Sequence, residues 1–169
     1  MKDHVSIGVE KRLRFALLDD ERDITDVVYL AREFHEESRF GYIRFAPEKV
    51  EAIARSVLQD PAHQAIMVCR ERGEMVGALH CSAGEYNIGK GVIVSTFHSL
   101  FVLPRIRKTL LSGRVTLGLM RGVEKWSQAR GAKEILFHAT SDIDLERTHT
   151  FIQRLGYRFI GGSYVRVSR

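Results

Sequence analysis

A basic, hydroxyl-rich turn follows an apolar run in the segment LFVLPRIRKTLLSG, residues 100–113. A long amphipathic pattern begins at its end, so we expect the turn to join a buried strand to a helix. The first N–H groups of a helix lack partners, and the helix dipole adds about half a positive charge there. Such a turn suits a phosphate group. Its cations and hydroxyls add charge and donors: Arg105, Arg107, Lys108, Thr109 and Ser112. The residues alone leave a solvated basic loop as an equal alternative.

A histidine in the same strand is the leading candidate for proton transfer. His98 stands six residues before Pro104, and an imidazole exchanges protons near neutral pH. Strand alternation places its side chain opposite Ser99 and on the face of Leu100 and Val102. The alternative is a strand histidine satisfied by a local hydrogen bond. The remaining candidate histidines lack zinc-ligand spacing, so we predict no metal site.

The composition is typical of one soluble domain. The chain has 169 residues, 44% of them apolar and 28% charged, with a net charge of +5. No 18-residue apolar stretch predicts a membrane span, and the N-terminus lacks the apolar region of a secretory signal. Two cysteines are too few for a disulfide framework, so we read both as small buried hydrophobes in a reducing cytoplasm. A polyanionic small ligand explains the basic charge as well as a nucleic acid does, and nucleic acid is not the favoured partner.

The apolar periodicity predicts an α/β protein with the element order βααβββαβαββ. The predicted strands are 13–18, 65–70, 75–82, 92–103, 134–140, 157–160 and 163–167, and the predicted helices are about 21–38, 47–58, 113–130 and 144–155. This amounts to a mixed, twisted sheet of six to seven strands flanked by about four helices. We expect one domain over residues 11–169 and disorder over residues 1–10. Where parallel strands occur, ligands bind beyond their carboxyl ends, which is where the basic turn lies.

The strand, the pattern V-x-P-x-x-R over residues 102–107 and the following helix resemble the acetyl-CoA-binding motif of the GNAT-type N-acetyltransferase superfamily. The segment FIQRLGYRFIGG, residues 151–162, is similar to the FYEKLGF…G segment of that family. The resemblance covers nearly the whole chain from about residue 12. It implies the single-domain GNAT fold, acetyl-CoA as donor, and direct attack of a primary amine in a ternary complex. It also leaves open a degenerate domain that binds acyl-CoA as a sensor or interaction module.

The resemblance assigns the cofactor to backbone groups of the strand and the turn. The strand residues that would pair with pantetheine are Leu100, Phe101 and Val102, and the Val102 N–H would polarise the thioester carbonyl. The turn residues whose N–H groups would hold the pyrophosphate are Lys108, Thr109, Leu110, Leu111, Ser112 and Gly113, next to Arg107. Leu110 stands where the family has glycine, and Ser112 where it has glycine or alanine.

The resemblance also assigns the remaining roles. Arylalkylamine-type relatives carry a histidine at the position of His98. The usual general-acid tyrosine is replaced by Ile152, which leaves His149 or Tyr164 as substitutes. The loop between the first two helices would line the acceptor pocket with Glu36, Phe40 and Tyr42, although a loop that simply covers the core is an equal reading. Many such relatives are dimers, so a homodimer is a further expectation.

Overall fold

The computed structural model describes residues 13–166, which form an α/β domain with five strands and five helices. The strands are β1 (Leu13–Leu17), β2 (Gln64–Glu71), β3 (Glu74–Glu85), β4 (Ile93–Val102) and β5 (Glu134–Phe137). The helices are α1 (Ile24–Glu37), α2 (Pro47–Gln59), α3 (Pro104–Arg107), α4 (Leu110–Ala129) and α5 (Leu145–Arg154), with a 3₁₀ turn over Glu21–Asp23. The predicted disorder of residues 1–10 lies outside the described residues.

The five strands form one sheet in the order β1-β2-β3-β4-β5. All neighbours are antiparallel except β4 and β5, which are parallel. Helix α4 covers one face, where a Cβ on Gly77 would lie 2.8 Å from a Val115 methyl group. Helix α1 covers the other face, with the Phe34 ring 4.9 Å from the ring of Phe101 on β4. The core therefore lies in two layers, one on each side of the sheet.

Most predicted elements are confirmed, with shifted ends. The hairpin of β2 and β3 forms, but β3 runs on to Glu85 into the expected loop. Helix α4 begins at Leu110 rather than at residue 113, because extended Thr109 ends the preceding turn and stands at the N-cap position. Both cysteines, Cys69 and Cys81, are free and fully buried, as expected. Burial raises the pKa of each thiol to about 12.

The prediction of six to seven strands is wrong for the described residues. The two strands expected after α5 do not form within residues 157–166. Their apolar side chains are largely exposed there, with Ile160 at 70% and Tyr164 at 100%. The alternating sequence favours an extended chain, but a strand also needs a neighbouring edge that pairs with it. No described helix is long and apolar enough to cross a bilayer.

Candidate functional site

The strands β4 and β5 stop pairing halfway along β4. The two strands pair only from Val94 to Phe97 on β4, opposite residues 134–137. β4 then continues to Val102, held on its other side by β3. Among residues 13–166, no strand pairs with the β5-side edge of β4 beyond Phe97. This part of the edge, which includes residues 100–102, therefore offers backbone donors and acceptors to a ligand.

The strand carries a β-bulge at its candidate base. His80 on β3 faces Ser99, whereas the next residue, Cys81, faces Phe97, so His98 is the extra residue. Its Nε2 is hydrogen-bonded to the Ser82 hydroxyl at 2.7 Å. Its ring lies 4.9 Å from the ring of His80.

The bulge overturns the predicted orientation of His98. His80 and Ser82 lie on the α1 side of the sheet together with Ser99, and His98 contacts the first two. The side chain of His98 is therefore on the face of Ser99, not on that of Leu100. Simple alternation failed because a bulge inserts one residue and resets the pattern beyond it.

Partial burial lowers the pKa of both contacting histidines, half-buried His80 and the more exposed His98, so both are neutral at pH 7. It lowers the pKa of His80 to about 4, with a smaller contribution from the charge of His98. Burial also lowers the pKa of His98, helped by His138, which follows β5. The Nε2 atom of His80 is buried and has no hydrogen-bond partner among residues 13–166. A neutral His98 held by Ser82 has the protonation state that a general base requires.

The hydroxyls of the basic turn do not point outward as free donors. Thr109 Oγ1 donates to the Ile106 carbonyl at 2.7 Å. Ser112 Oγ lies 2.8 Å from the Arg107 carbonyl and 3.0 Å from the Thr109 carbonyl, and the side chain is buried. A hydroxyl donates only one hydrogen bond at a time. The two side chains thus fix the shape of the turn, and the expectation that they add donors is corrected.

Arg107 also turns inward rather than toward solvent. Its Nε donates to the Val102 carbonyl at 2.9 Å, and its Nη1 forms an ion pair with Glu37 at the end of α1. Its Nη2 is buried and has no hydrogen-bond partner in the described part of the chain, and burial lowers the pKa of the guanidinium group. Arg107 therefore ties α3 to β4 and α1, with its charge balanced by a carboxylate. The exposed residues of the turn are Arg105, Lys108, Thr109, Leu110 and Gly113.

The loop between α1 and α2 is built around polar contacts of its own. The Ser38 hydroxyl donates to the His35 carbonyl at 2.9 Å and accepts from the Phe40 N–H at 3.2 Å. The Arg39 N–H donates to the Ser141 carbonyl at 2.9 Å, which brings the loop against the segment after β5. The three predicted acceptor residues are exposed, Glu36 in the last turn of α1 and Phe40 and Tyr42 on the loop. Tyr42 is 84% exposed, so it does not cover the core.

A cleft of about 610 Å³ lies beside His98, and sequence reasoning missed it. Its floor is the α1 and α2 side of β3, β4 and β5, and its rims come from the α2–β2 and β3–β4 connections. The lining residues are Asp60, His63, Gln64, Ser82, Ala83, Gly84, Glu85, Tyr86, Asn87, Val94, Thr96, Leu136 and His138. These residues come from separate stretches of chain, so no local pattern could reveal the cleft. In residues 13–166, no group of three or more metal-ligating side chains is placed to hold an ion.

The residues considered as general acids take different places. Ile152, at the expected tyrosine position, packs against the core. The His149 ring contacts Phe159 at 5.7 Å, and Tyr164 is fully exposed. Tyr157 donates to Glu124 at 2.9 Å, and burial followed by this carboxylate raises its pKa. Tyr157 is therefore a packed, protonated side chain.

Comparison with known proteins identifies the fold. No protein-family model and no curated protein sequence matches the chain. A solved structure of aminoglycoside N-acetyltransferase AAC(6')-Iy in complex with CoA is similar, with 16% identity and a TM-score of 0.73 over 96% of this chain and 99% of the other. A ribosomal-protein-alanine N-acetyltransferase from Brucella melitensis biovar Abortus 2308 has 16% identity and a TM-score of 0.66, covering 94% and 100% of the two chains.

A third similar structure is a transcriptional regulator from Bacillus halodurans C-125, with 16% identity and a TM-score of 0.68 over 94% and 100% of the chains. The fold of this protein is that of the GNAT-type N-acetyltransferases, as the sequence resemblance predicted. Similarity at this level of identity establishes the architecture, and activity has to be argued from the site.

Proposed function

We propose that the protein is an acetyl-CoA-dependent N-acetyltransferase that moves an acetyl group to a primary amine by direct attack in a ternary complex. The observation that carries this proposal is the β5-side edge of β4 beyond Phe97, with which no strand of residues 13–166 pairs. The His98 bulge lies at its start and the α4 N-terminus at its end. A strand edge that pairs with an amide-rich arm and a helix N-terminus that suits phosphate match the two parts of acetyl-CoA. The solved neighbour AAC(6')-Iy, which is in complex with CoA, supports this assignment.

In this proposal the donor is held mainly by backbone groups. The pantetheine arm and acetyl group lie along Leu100, Phe101 and Val102, and the Val102 N–H polarises the thioester carbonyl. The pyrophosphate lies at the turn over residues 108–113, where it would share the N–H groups of Thr109 and Ser112 with the Ile106 and Thr109 carbonyls, which accept from them at 3.0 and 3.2 Å. Lys108 is exposed there and supplies charge, whereas Arg107 shapes the turn through its bonds to Val102 and Glu37.

His98 acts as the general base in this reaction. With Nε2–H donating to Ser82, the Nδ1 lone pair is free to take a proton from the acceptor ammonium. The neutral amine then attacks the thioester carbon, the tetrahedral intermediate collapses, and the carbon–sulfur bond breaks. The nitrogen then gives its extra proton to solvent water, water protonates the CoA thiolate, and His98 releases its proton to solvent before the next turnover. Water takes this last role because Ile152 offers no proton at the usual tyrosine position.

The test is release of free CoA thiol from acetyl-CoA over a panel of primary amines. We expect turnover, and we expect His98→Ala to lower it by roughly 10²-fold at pH 7, the usual scale of general base catalysis. The loss should shrink at pH 9, where more of the amine is already deprotonated. Glu51→Gln, at an exposed position of α2 away from the β4 edge, is the control and should retain activity. An active His98→Ala enzyme with an unchanged pH profile would show that His98 is structural.

A second candidate function is a domain that binds acyl-CoA without transferring the acyl group. The observation that favours it is the packed Ile152 in place of the general acid. One solved neighbour is described as a transcriptional regulator, so the fold is also found in a protein of that description. Binding of acetyl-CoA without thiol release from any amine would favour this candidate over the enzyme.

We further propose a homodimer in a reducing cytoplasm. The exposed apolar side chains of the segment after α5 support self-association: Phe159, Ile160, Tyr164 and Val165. The free thiols of Cys69 and Cys81 support the assignment to a reducing compartment. Light scattering during gel filtration reports the mass, and a monomer at all concentrations would exclude the dimer.

A further inference from the structure

We propose that the cleft beside His98 binds a second cationic group of the acceptor, so that the preferred substrate is a diamine or a larger polyamine-like molecule. This inference rests on the proposed acetyltransferase function and adds the class of acceptor to it. It also implies that the main acceptor contacts lie at the opposite end of the β3–β4–β5 floor and not at the exposed side chains of the α1–α2 loop.

The charge of the cleft is opposite to that of the protein. The chain carries a net charge of +5. Of residues 13–166, the 13 that line the cleft include no lysine or arginine, whereas Asp60 and Glu85 stand on its rims. The rim aromatic Tyr86 is 53% exposed, and an exposed ring face adds an attraction for cations. Such a site attracts an ammonium group and repels an anionic acceptor.

The carboxylates are fixed in position yet retain capacity for a ligand. Glu85 Oε1 accepts from the Gly91 N–H at 2.6 Å, which holds the side chain at the turn between β3 and β4. Asp60 Oδ1 is hydrogen-bonded to His63 Nδ1 at 2.9 Å. In each case these bonds use one carboxylate oxygen, and the second oxygen can accept from an ammonium group. A preorganised carboxylate loses less side-chain entropy when it binds.

The cleft is continuous with the place where the reaction would occur. Ser82 lines the cleft and is bonded to His98, and His138 lines it and lowers the pKa of His98. Glu85 stands three positions after Ser82 on β3, which corresponds to roughly 10 Å of strand. An amine that reacts beside His98 can thus place a second ammonium near Glu85 if about six carbon atoms separate its two nitrogens.

The experiment compares 1,6-diaminohexane with hexylamine, which has the same chain and a single ammonium group. Thiol release from acetyl-CoA is measured for both amines with wild type, Glu85→Gln, Asp60→Asn and Glu51→Gln. Glutamine at residue 85 keeps an oxygen for the Gly91 N–H, and exposed Glu51 on α2 does not line the cleft, so it serves as the matched control. Each measurement is repeated at low and high salt.

We expect wild type to have a lower KM for the diamine than for hexylamine. Glu85→Gln should raise the diamine KM by roughly five- to tenfold, with a smaller change at high salt, because partly exposed charge pairs are modest and screened. Its KM for hexylamine and its kcat should stay close to wild type, and Asp60→Asn should act in the same direction. Glu51→Gln should change nothing. Equal KM values for the two amines, or equal effects of the Glu85 and Glu51 variants, would overturn the proposal.

Failure of the cleft and failure of the enzyme function remain distinguishable. Turnover of hexylamine without preference for the diamine would refute the cleft and leave the acetyltransferase. If neither amine is acetylated, calorimetric titration of 1,6-diaminohexane into the protein saturated with CoA decides the matter. Binding that weakens in Glu85→Gln but not in Glu51→Gln would support the cleft, and no binding would overturn it.

Discussion

The two contacting histidines should make the protein lose stability in mild acid, and the share of half-buried His80 can be worked out from its pKa. Burial lowers the pKa of His80 from 6.5 to about 4 in the folded state. As the pH falls below 6.5, the unfolded chain takes up the proton first, so the free energy of unfolding decreases. The full effect, reached below pH 4, is about 3 kcal/mol, since each pKa unit corresponds to about 1.4 kcal/mol. Linkage gives about 2 kcal/mol of this loss between pH 7 and pH 5.

The perturbation is His80→Phe, which removes the titrating group and keeps a ring against His98. It also removes the unpartnered Nε2 atom, and burying such a polar atom costs about 1–3 kcal/mol. We therefore expect the variant to be at least as stable as wild type at pH 7. At pH 5 its advantage should have grown by about 2 kcal/mol.

The assay is urea unfolding at pH 7, 6 and 5, followed by the fluorescence of Trp126. This residue is the only tryptophan of the chain and is 6% exposed, so unfolding changes its surroundings. His149→Gln, on the exposed surface of α5, is the matched histidine control and should follow the wild-type curve. Parallel pH dependence of wild type and His80→Phe would refute the reasoning, because His80 would then titrate alike in both states.

Three further predictions concern the cofactor site and the packing around it. Acetyl-CoA at 100 times its Kd should stabilise the fold by about 2.7 kcal/mol and raise the Tm by several degrees, and an equal shift with pyrophosphate would instead indicate a generic anion site. Ser112→Ala keeps the backbone N–H and should change CoA affinity by less than about tenfold. Ser112→Pro removes this N–H and should weaken CoA affinity by roughly 10- to 150-fold. Equal CoA affinities of the two variants, measured by calorimetry, would exclude this turn as the pyrophosphate site. Gly77→Ala should lower the free energy of unfolding by about 1–3 kcal/mol in urea titrations, because the new Cβ lies 2.8 Å from Val115 and 3.1 Å from Leu119. An unchanged unfolding midpoint would mean that α4 can shift at no cost.

The sequence was sufficient for the elements whose signals are local. Apolar spacing located α1, α2 and α4, and alternation with a short polar turn located the hairpin of β2 and β3. The order of β4, the proline turn and α4 also led to the correct fold. These features depend on neighbouring residues, because helix and strand periods and turn chemistry act over a few positions.

The arrangement of the site depended on contacts between distant residues. The bulge that turns His98 toward Ser82 exists only in the register of β4 with β3, so alternation along β4 gave the wrong face. The ion pair of Arg107 with Glu37 joins residues 70 positions apart, and it converts an expected phosphate ligand into a support for the turn.

The cleft and the fate of the last two predicted strands also depended on contacts that the sequence does not reveal. The cleft combines side chains of the α2–β2 connection, β3, β4 and the end of β5, which no single stretch of sequence brings together. Residues 157–166 have a strand-like pattern but form no strand, because hydrogen bonds of a sheet require a partner edge as well as a suitable sequence. Local preference thus determined which elements form, and pairing and packing between them determined which side chains meet.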